Sequence, residues 1–332
     1  MGQGSQTTKT AVVLLNLGGP KALDEVEPFL MSLFSDPAIV TLPNPFRYVL
    51  AKWITKKRLP EAHHIYSLLG GGSPLLENTE AQATALSKEL GEAYRVFVSM
   101  RHAAPKVNHA LDQVNAYRPD KVILLPLYPQ YSTTTTGSAF KAWEKATKDF
   151  PCQTTTIHSY PSQGGFVEAI GDLFTPIYKE ALSHGTPRIL LTAHGLPEKT
   201  IRAGDPYQSH VEETAGAFLE AQGPLDAVLC YQSRVGRLKW TGPYTEDEIV
   251  RASQEKRPLI VVPLSFVSEH SETLVELDMT YKKLALEKGC PAYFRVPTVG
   301  CHPSFIKGLA ELVHLHLSPC GRGRPSGRVR GP

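Results

Sequence analysis

The sequence predicts an α/β protein made of two similar, doubly wound halves, each with a four-stranded parallel sheet flanked by helices. Eight short runs rich in Val, Ile and Leu recur along the chain, with helix-like stretches or turns after them. The runs lack strict alternation of polar and apolar residues, which is typical of strands buried on both faces in parallel sheets. At about 150 residues per domain, the 332 residues accommodate two such units.

The strand candidates divide evenly between the two halves. Those of the first half are Ala11–Leu17, Tyr94–Ser99, Val122–Leu127 and Gln153–Ser159. Those of the second half are Arg188–Ala193, Ala227–Tyr231, Leu259–Phe266 and Ala292–Pro297. The helix candidates are Asn78–Gly91, Lys106–Tyr117, Ser209–Ala221, Ser268–Lys288 and Pro303–Leu317. We therefore expect an N-terminal half over 1–160, a C-terminal half over 161–300, a helix over 301–318 that packs back on the first half, and a disordered basic tail over 319–332.

Charge and cysteine content exclude several classes of protein. The net charge is +3, but four arginines lie in the last eleven residues, and the rest of the chain has 31 basic against 32 acidic residues. Such a near-neutral body predicts no nucleic-acid partner. The first ten residues lack the apolar core of a secretory signal, and no apolar run reaches the length of about 18 residues that a membrane span needs. Five scattered cysteines without a CxxC pair indicate reduced thiols and a cytoplasmic protein.

Three distinctive motifs lie where predicted strands end. Asn16–Pro20 reads NLGGP, Ala193–Pro197 reads AHGLP and Phe266–His270 reads FVSEH. Ligands of open α/β sheets bind at the carboxyl ends of the strands, so these motifs predict a site in the cleft between the halves. NLGGP lacks the GxGxxG spacing of a dinucleotide site, which disfavours NAD binding.

Two of these motifs carry chemically useful side chains. His194 ends a strand before Gly and Pro, where a loop histidine either accepts protons, binds a metal or bonds to a nearby carbonyl. Glu269, Glu272 and Glu276 follow Ser268, a candidate N-cap, at spacings that place them on one face of an α-helix. A row of carboxylates suits a hydrated divalent metal, although acidic residues in a first helical turn also complement the helix dipole.

Two further stretches suit an unusual ligand. Gly70–Pro74 reads GGGSP, a loop whose backbone N–H groups can receive an anion or form a plain turn; without a following Lys-Ser/Thr it is not a P-loop. Pro45–Arg58 predicts a basic amphipathic helix with Phe46, Val49 and Trp53 on one stripe. This helix suits a membrane surface or a large flat apolar ligand, or it is a surface helix that faces the core.

Taken in order, the motifs resemble those of the ferrochelatase family over nearly the whole chain, from about Lys9 to Leu317. The matching strings are NLGGP, FLxxLFxDPxI, GGGSP, LPLYPQYSxTTTGS, TAHGLP, GDPY, CYQSRVG, GPYTEDEI and FVSEHSETLVELD. Single strings are weak evidence, but their succession is specific. The resemblance implies a chelatase-like fold in which the cleft between the halves holds a porphyrin, and an enzyme that inserts Fe²⁺ into protoporphyrin IX to form haem.

The resemblance also implies roles for individual residues. His194 accepts pyrrole protons or contacts the metal on one face of the porphyrin, Glu272 lies on the opposite face, and Glu276 continues a carboxylate path for metal or protons. The implied porphyrin-binding residues are Arg58, Tyr66 and Ser73 for the propionates, Arg101 and His102 near the metal, and Leu17, Tyr131 and Trp240 against the ring. The Pro45–Arg58 helix is implied to be an apolar lip that admits the substrate and makes peripheral contact with the inner face of a membrane.

The sequence departs from the family at several positions. His102 stands where many members carry Tyr, and Thr280 where a carboxylate is common, so the metal path is shorter or runs through Asp278. Arg237 replaces the proline of VGP. Because the C-terminal tail supplies only Cys320, we expect no [2Fe–2S] cluster and no other cofactor. A chelatase for another metal or tetrapyrrole, such as Co²⁺ or coproporphyrin III, and a non-enzymatic porphyrin or haem carrier remain alternatives.

Overall fold

A computed structural model of the protein describes residues 8–148, 150, 152–236 and 238–317. It contains two four-stranded sheets in which every strand pair is parallel. The first sheet, in the order β2-β1-β3-β4, comprises β1 (Thr10–Asn16), β2 (Tyr94–Met100), β3 (Lys121–Pro126) and β4 (Gln153–Thr156). The second, in the order β6-β5-β7-β8, comprises β5 (Arg188–His194), β6 (Ala227–Gln232), β7 (Leu259–Pro263) and β8 (Tyr293–Arg295). The predicted fold class is confirmed, and the strand order repeats between the halves.

The central strands are buried because their side chains are apolar on both faces. All seven residues of β1 and all five of β7 are buried. In β5 the first six residues are buried and only His194 is partly exposed. This strand therefore ends with the His194 side chain at the rim of the sheet.

Helices cover both sheets. They are α1 (Val26–Phe34), α2 (Phe46–Leu68), α3 (Leu75–Leu90), α4 (Val107–Tyr117), α5 (Thr136–Ala146), α6 (Gly164–Ala181), α7 (Glu198–Arg202), α8 (Tyr207–Gln222), α9 (Thr245–Gln254), α10 (Lys282–Glu287) and α11 (Pro303–Leu317). A π-helix, Glu272–Tyr281, runs directly into α10. The single helix predicted over 268–288 therefore begins four residues later and is a π-helix over its first ten residues.

One hydrophobic core joins the two sheets. It contains Val12 and Leu14 of β1 together with Ile189 and Leu191 of β5, and Phe305 of α11. Helix α11 packs against α3 and α6, one helix from each predicted half. The shared core fixes the strand ends of the two sheets relative to each other, which positions the site described next.

Several sequence expectations concern residues outside those described. They include the basic tail, Cys320 and Arg237. Among the described residues, four cysteines are free thiols. Within the same ranges no helix has both the length and the apolar character needed to cross a membrane.

Candidate active site

A histidine–glutamate pair lies at the carboxyl end of the second sheet. Nδ1 of His194, at the end of β5, is 2.7 Å from Oε2 of Glu272, at the start of the π-helix. The backbone N–H of His194 donates to Oγ of Ser265, just after β7. The His194 and Glu272 side chains are 35% and 29% exposed, so both reach the cleft surface. Because Nδ1 is engaged by the carboxylate, Nε2 is the nitrogen that can accept a proton or bind a metal.

This geometry overturns the expectation that His194 and Glu272 act from opposite faces of a porphyrin. An aromatic ring needs about 3.5 Å of contact distance on each side, so atoms that flank it are separated by roughly 7 Å. A direct hydrogen bond of 2.7 Å leaves no room for the ring. The two residues therefore lie on the same side of any ligand bound in the cleft.

His194 and Glu272 also shift each other's pKa values. Burial disfavours the imidazolium, but the charge and hydrogen bond of Glu272 outweigh that effect and raise the pKa of His194. Burial opposes ionisation of Glu272, yet His194 lowers the pKa of this carboxyl. Glu272 is therefore held as a carboxylate and makes His194 a stronger base. In neutral His194 the ring proton lies on Nδ1, toward Glu272, which leaves Nε2 able to take up a second proton and form the imidazolium that Glu272 stabilises.

Glu276 forms the next carboxyl group beyond the pair. It accepts hydrogen bonds from the backbone of Ser233, the side-chain amide of Gln232 and the hydroxyl of Tyr281. The Ser233 hydroxyl lies 3.1 Å from Glu272 and 2.5 Å from Glu276, but it has only one proton to donate. Burial and the nearby Glu272 charge raise the pKa of Glu276. A protonated Glu276 that donates to Ser233, which donates to Glu272, satisfies all three groups.

Ser233, which contacts both carboxyl groups, has an unfavourable backbone conformation. Its φ is +64°, in the left-handed region that non-glycine residues rarely adopt. Such strain at a residue that bridges two carboxyl groups is typical of a functional site. Sequence reasoning did not assign Ser233 or Tyr281 a role. In a π-helix the turn contains more than four residues, so Tyr281 and not Thr280 follows Glu276 on the same face.

Glu269 and Asp278 do not belong to the carboxylate row that the sequence suggested. Both bind Arg295 of β8: Glu269 through Nη1 at 2.6 Å, and Asp278 through Nε at 2.8 Å and Nη2 at 2.6 Å. Glu269 also accepts a hydrogen bond from the backbone of Thr298. The charge of Arg295 draws both carboxylates toward β8, so a metal path through Asp278 is wrong for this structure. Ser268 is not a helix cap either, because its hydroxyl donates to Gln82.

Within the described ranges, no group of three or more His, Cys, Asp or Glu side chains converges as a ready metal cage. The side chains of His194, Glu272 and Glu276, which were predicted as metal ligands, therefore do not converge on a single point in this structure. Their atoms are instead linked in a chain by Ser233.

The first half supplies part of the wall near Glu272. The Tyr66 ring, on α2, is 7% exposed and packs edge-to-face on Phe29. Burial raises the pKa of Tyr66 to about 12, an effect that a hydrogen bond with Ser271 reduces and the charge of Glu272 increases. On the same helix Arg58 pairs with Glu61. The Ser73 hydroxyl accepts from Leu75 N, the first residue of α3, and the Ser73 backbone N–H donates to Pro20 O.

Arg101 and His102 follow β2 and share a buried aspartate. Arg101 Nη2 is 2.6 Å from Asp36 Oδ2, and its Nε donates to Ser138, which donates in turn to Asp36. The His102 side chain is fully buried, with Nδ1 3.3 Å from the Ser32 hydroxyl. Burial, followed by the charge of Arg101, lowers the pKa of His102 to about 4. His102 is therefore neutral and lies behind Arg101, so the structure does not place it on the cleft surface.

Three predicted ring contacts lie at other strand ends. Leu17 follows β1 and is partly exposed. Tyr131 lies in the loop before α5, and its backbone N–H donates to Nδ1 of His210 in α8. The Trp240 ring lies 6.3 Å from the His194 ring in an edge-to-face arrangement, and its indole N–H donates to Val235 O. Of these three, Trp240 is the one that the structure brings directly against the pair.

Two parallel sheets with this pair in the cleft define a chelatase-type α/β protein, and solved structures share the fold. The sirohydrochlorin chelatase SirB of Bacillus subtilis subspecies spizizenii, in complex with cobalt, matches with a TM-score of 0.56 at 10% identity, over 95% of this chain and 98% of that one. CbiX, a terminal enzyme of sirohaem synthesis in denitrifying bacteria, matches with a TM-score of 0.51 at 14% identity, over 93% and 100%. At these identities the likeness concerns the fold alone.

Sequence comparison gives the family. A family profile described as Ferrochelatase matches residues 9–317. The chain is 50% identical to the ferrochelatase of Caulobacter vibrioides, over 92% of this chain and 90% of the relative. It is 48% identical to that of a Wolbachia strain of Drosophila simulans, over 92% and 98%, and 46% identical to that of Pelagibacter ubique, over 92% and 90%. The chain belongs to the ferrochelatase family and is an enzyme of haem synthesis, which disfavours the carrier interpretation.

Proposed function

We propose that this enzyme inserts Fe²⁺ into protoporphyrin IX, with release of the two pyrrole protons, and that the His194–Glu272 pair is its catalytic centre. The observation that carries the proposal is the hydrogen bond that engages Nδ1 of the partly exposed His194 side chain, so that Nε2 is the nitrogen available to a ligand while Glu272 stabilises the charged ring. Loss of two N–H protons and gain of one Fe²⁺ leave a neutral metal–porphyrin core. A base close to the site of insertion is therefore the minimum requirement.

In this proposal Nε2 of neutral His194 accepts the two pyrrole protons one after the other, and the first is released from the ring before the second is taken up. General-base catalysis of this kind contributes on the order of 10²–10⁴-fold in rate. The Glu272 carboxylate stabilises the imidazolium that forms, and its hydrogen bond fixes the orientation of the ring. A cleft that binds a bent porphyrin better than a flat one exposes the pyrrole nitrogens and lowers the barrier further.

Glu276 and Ser233 provide the exit for protons or the entry for iron. Ser233 lies within hydrogen-bond distance of both carboxyl groups. Once Glu276 has released its own proton, the Ser233 hydroxyl can accept a proton from Glu272 and donate its own to Glu276. Tyr281 ends the series at Glu276. With Thr280 in place of a further carboxylate, the path has two carboxyl groups.

The porphyrin is held by residues of the first half and by Trp240. Arg58, Ser73 and Tyr66 are assigned to the propionates, and Arg101 to the side of the ring near the metal. Asp36 and Ser138 keep the Arg101 guanidinium in place. We assign Leu17, Tyr131 and Trp240 to the ring itself, and no cofactor to the reaction, since Fe²⁺ enters as substrate.

Peripheral membrane contact through α2 is part of the proposal. Phe46, Val49 and Trp53 are 67%, 65% and 60% exposed, so the apolar stripe faces outward and not toward the core. Lysines lie beside it, with Lys57 over the Trp53 ring. Outward apolar side chains with flanking cations suit the inner face of an anionic membrane, on the cytoplasmic side. Co-sedimentation with anionic liposomes, lost in Trp53→Glu and kept in Leu286→Glu, tests this contact.

The function is tested by supplying purified protein with Fe²⁺ or Co²⁺, and with protoporphyrin IX or coproporphyrin III, under anaerobic conditions. The proposal expects the highest kcat/KM with Fe²⁺ and protoporphyrin IX. Divalent-metal affinity order alone does not favour iron, so a preference must come from the site. A higher kcat/KM for coproporphyrin III, or for Co²⁺, would replace this substrate assignment with the alternative chelatase.

A further inference from the structure

The segment that joins β7 to the π-helix, residues 264–271, is held from outside its own half. It follows Leu259–Pro263 and has no helix or strand over most of its length, so its backbone carbonyls need other partners. We call it the connector. It carries Ser265, which accepts from His194 N, and His270, whose Nδ1 accepts from Glu272 N. The backbone positions of both members of the pair therefore depend on where the connector lies.

Gln82 of α3 reaches the connector from the first half. Its side-chain amide donates to Val267 O and Gly300 O, at 2.9 Å each, and its Oε1 accepts from Ser268 Oγ at 3.0 Å. Gln82 is fully buried, and both of its donor hydrogens and its acceptor are used. Such a residue cannot shift without leaving buried polar groups unpaired.

Gln130, after β3, makes a second attachment at the other end of the connector. Its side-chain amide donates to Leu264 O at 3.1 Å and to Thr214 Oγ1 at 2.8 Å. Gln130 is 2% exposed. Asn78 adds a third contact by donating to Glu269 O. The first half thus contacts the connector at 264, 267, 268 and 269.

We propose that Gln82 and Gln130 are positioning residues, which act across the two halves by fixing the connector so that Glu272 stays bonded to His194. This inference rests on the proposed roles of that pair. An apolar residue would fill either position without satisfying the connector carbonyls. The buried amides instead specify one register between the first half and the segment that carries the catalytic groups.

Methionine substitutions test the proposal, because Gln82→Met and Gln130→Met keep the volume but remove the amide donors. Turnover and porphyrin binding are measured separately, by Fe²⁺ insertion and by fluorescence titration with protoporphyrin IX. A misplacement of about 1 Å costs as much as a hundredfold in rate, so kcat is expected to fall about tenfold to a hundredfold. The porphyrin Kd stays within about twofold of the wild-type value, because the connector positions the pair and not the ring.

Gln163→Ala is the matched control. Gln163 caps α6 by accepting from Phe166 N and contacts Glu311, away from the connector. This variant loses thermal stability but is expected to keep kcat. If Gln82→Met and Gln130→Met keep kcat within about twofold of Gln163→Ala, the positioning role is refuted and the glutamines serve stability alone.

Ser268→Ala provides a second test of the proposal if Gln82→Met does not fold. It removes only the hydrogen bond to Gln82, and a drop in kcat at constant Kd supports the proposal, whereas unchanged kcat contradicts it. Wild-type protein and Glu272→Gln are assayed in the same series. Inactive wild type refutes the proposed function, while active wild type with inactive Glu272→Gln and fully active glutamine variants refutes only the positioning role.

Discussion

Arg295→Met should be strongly destabilising because it removes the cation that holds two carboxylates beside the π-helix. Arg295 is 11% exposed in its side chain, and Glu269 and Asp278 are 25% and 34% exposed. Its three hydrogen bonds to carboxylates join Glu269, before the π-helix, to Asp278 inside it. The pKa of Arg295 is raised: burial opposes its charge, but the two carboxylates favour it more strongly.

The expected loss follows from the charges that remain. Breaking a buried pair by removal of one partner costs about 3–5 kcal/mol, since the other charge stays buried. Partial exposure of Asp278 reduces this cost by solvent screening, so we expect roughly 3 kcal/mol. For a chain of this size, about 2 °C per kcal/mol gives a decrease in Tm of roughly 6 °C.

Thermal unfolding followed by circular dichroism measures this decrease. Arg202→Met is the control, because Arg202 is 73% exposed and its partner Glu198 keeps a second ion pair with Lys239, so Tm should change by about 2 °C or less. The triple variant Arg295→Met, Glu269→Gln, Asp278→Asn should recover much of the loss, because it leaves no unpaired charge. A decrease for Arg295→Met no greater than that for Arg202→Met would contradict the buried-charge argument.

Three further predictions concern the pair and its surroundings. Glu272→Gln should move the acid limb of the kcat–pH profile to lower pH, because without the carboxylate burial lowers the pKa of His194; an unmoved limb would contradict this assignment. Ser233→Ala should lower kcat about tenfold by separating the two carboxyl groups, with Ser162→Ala as an unaffected control, and equal rates would remove Ser233 from the path. As the pH falls from 6.5 to about 4, the Tm of the wild type should fall more steeply than that of His102→Phe. The pKa of His102 is lowered to about 4 in the folded protein, so in this range the unfolded state binds the proton and the folded state does not. Parallel plots of Tm against pH for the two proteins would contradict the burial of His102.

The eight strands and several of the helices could be predicted because their signals are local, whereas α1, α5, α6, α7 and α9 had no candidate. Continuous apolar runs locate β1 and β5, and the predicted Pro303–Leu317 matches α11. The π-helix was missed because it depends on contacts from distant residues. Arg295 binds Glu269 and Asp278, and Ser268 bonds to Gln82, so neither end of the segment behaves as an isolated α-helix would.

The site was predicted in its principal residues but not in its geometry. His194 and Glu272 were identified by their motifs, yet their direct hydrogen bond brings together residues from the ends of different elements, 78 positions apart. The CYQSRVG string contains Ser233 but does not reveal its role. That role depends on a positive φ and on contacts with two carboxyl groups of the π-helix, which only the structure shows. His102 resembles a cleft residue in sequence, and only packing around Asp36 shows that it is buried.

The most direct test of the account is anaerobic insertion of Fe²⁺ into protoporphyrin IX by the wild type, His194→Ala and Glu272→Gln, followed by absorbance. We expect haem formation by the wild type and a loss of at least about 10²-fold in His194→Ala, with porphyrin binding retained. The two side chains act as one hydrogen-bonded unit. A double variant that combines His194→Ala and Glu272→Gln should therefore have a kcat only slightly below that of His194→Ala. Full activity in His194→Ala, or independent and multiplying losses in the double variant, would contradict the pair as the catalytic centre.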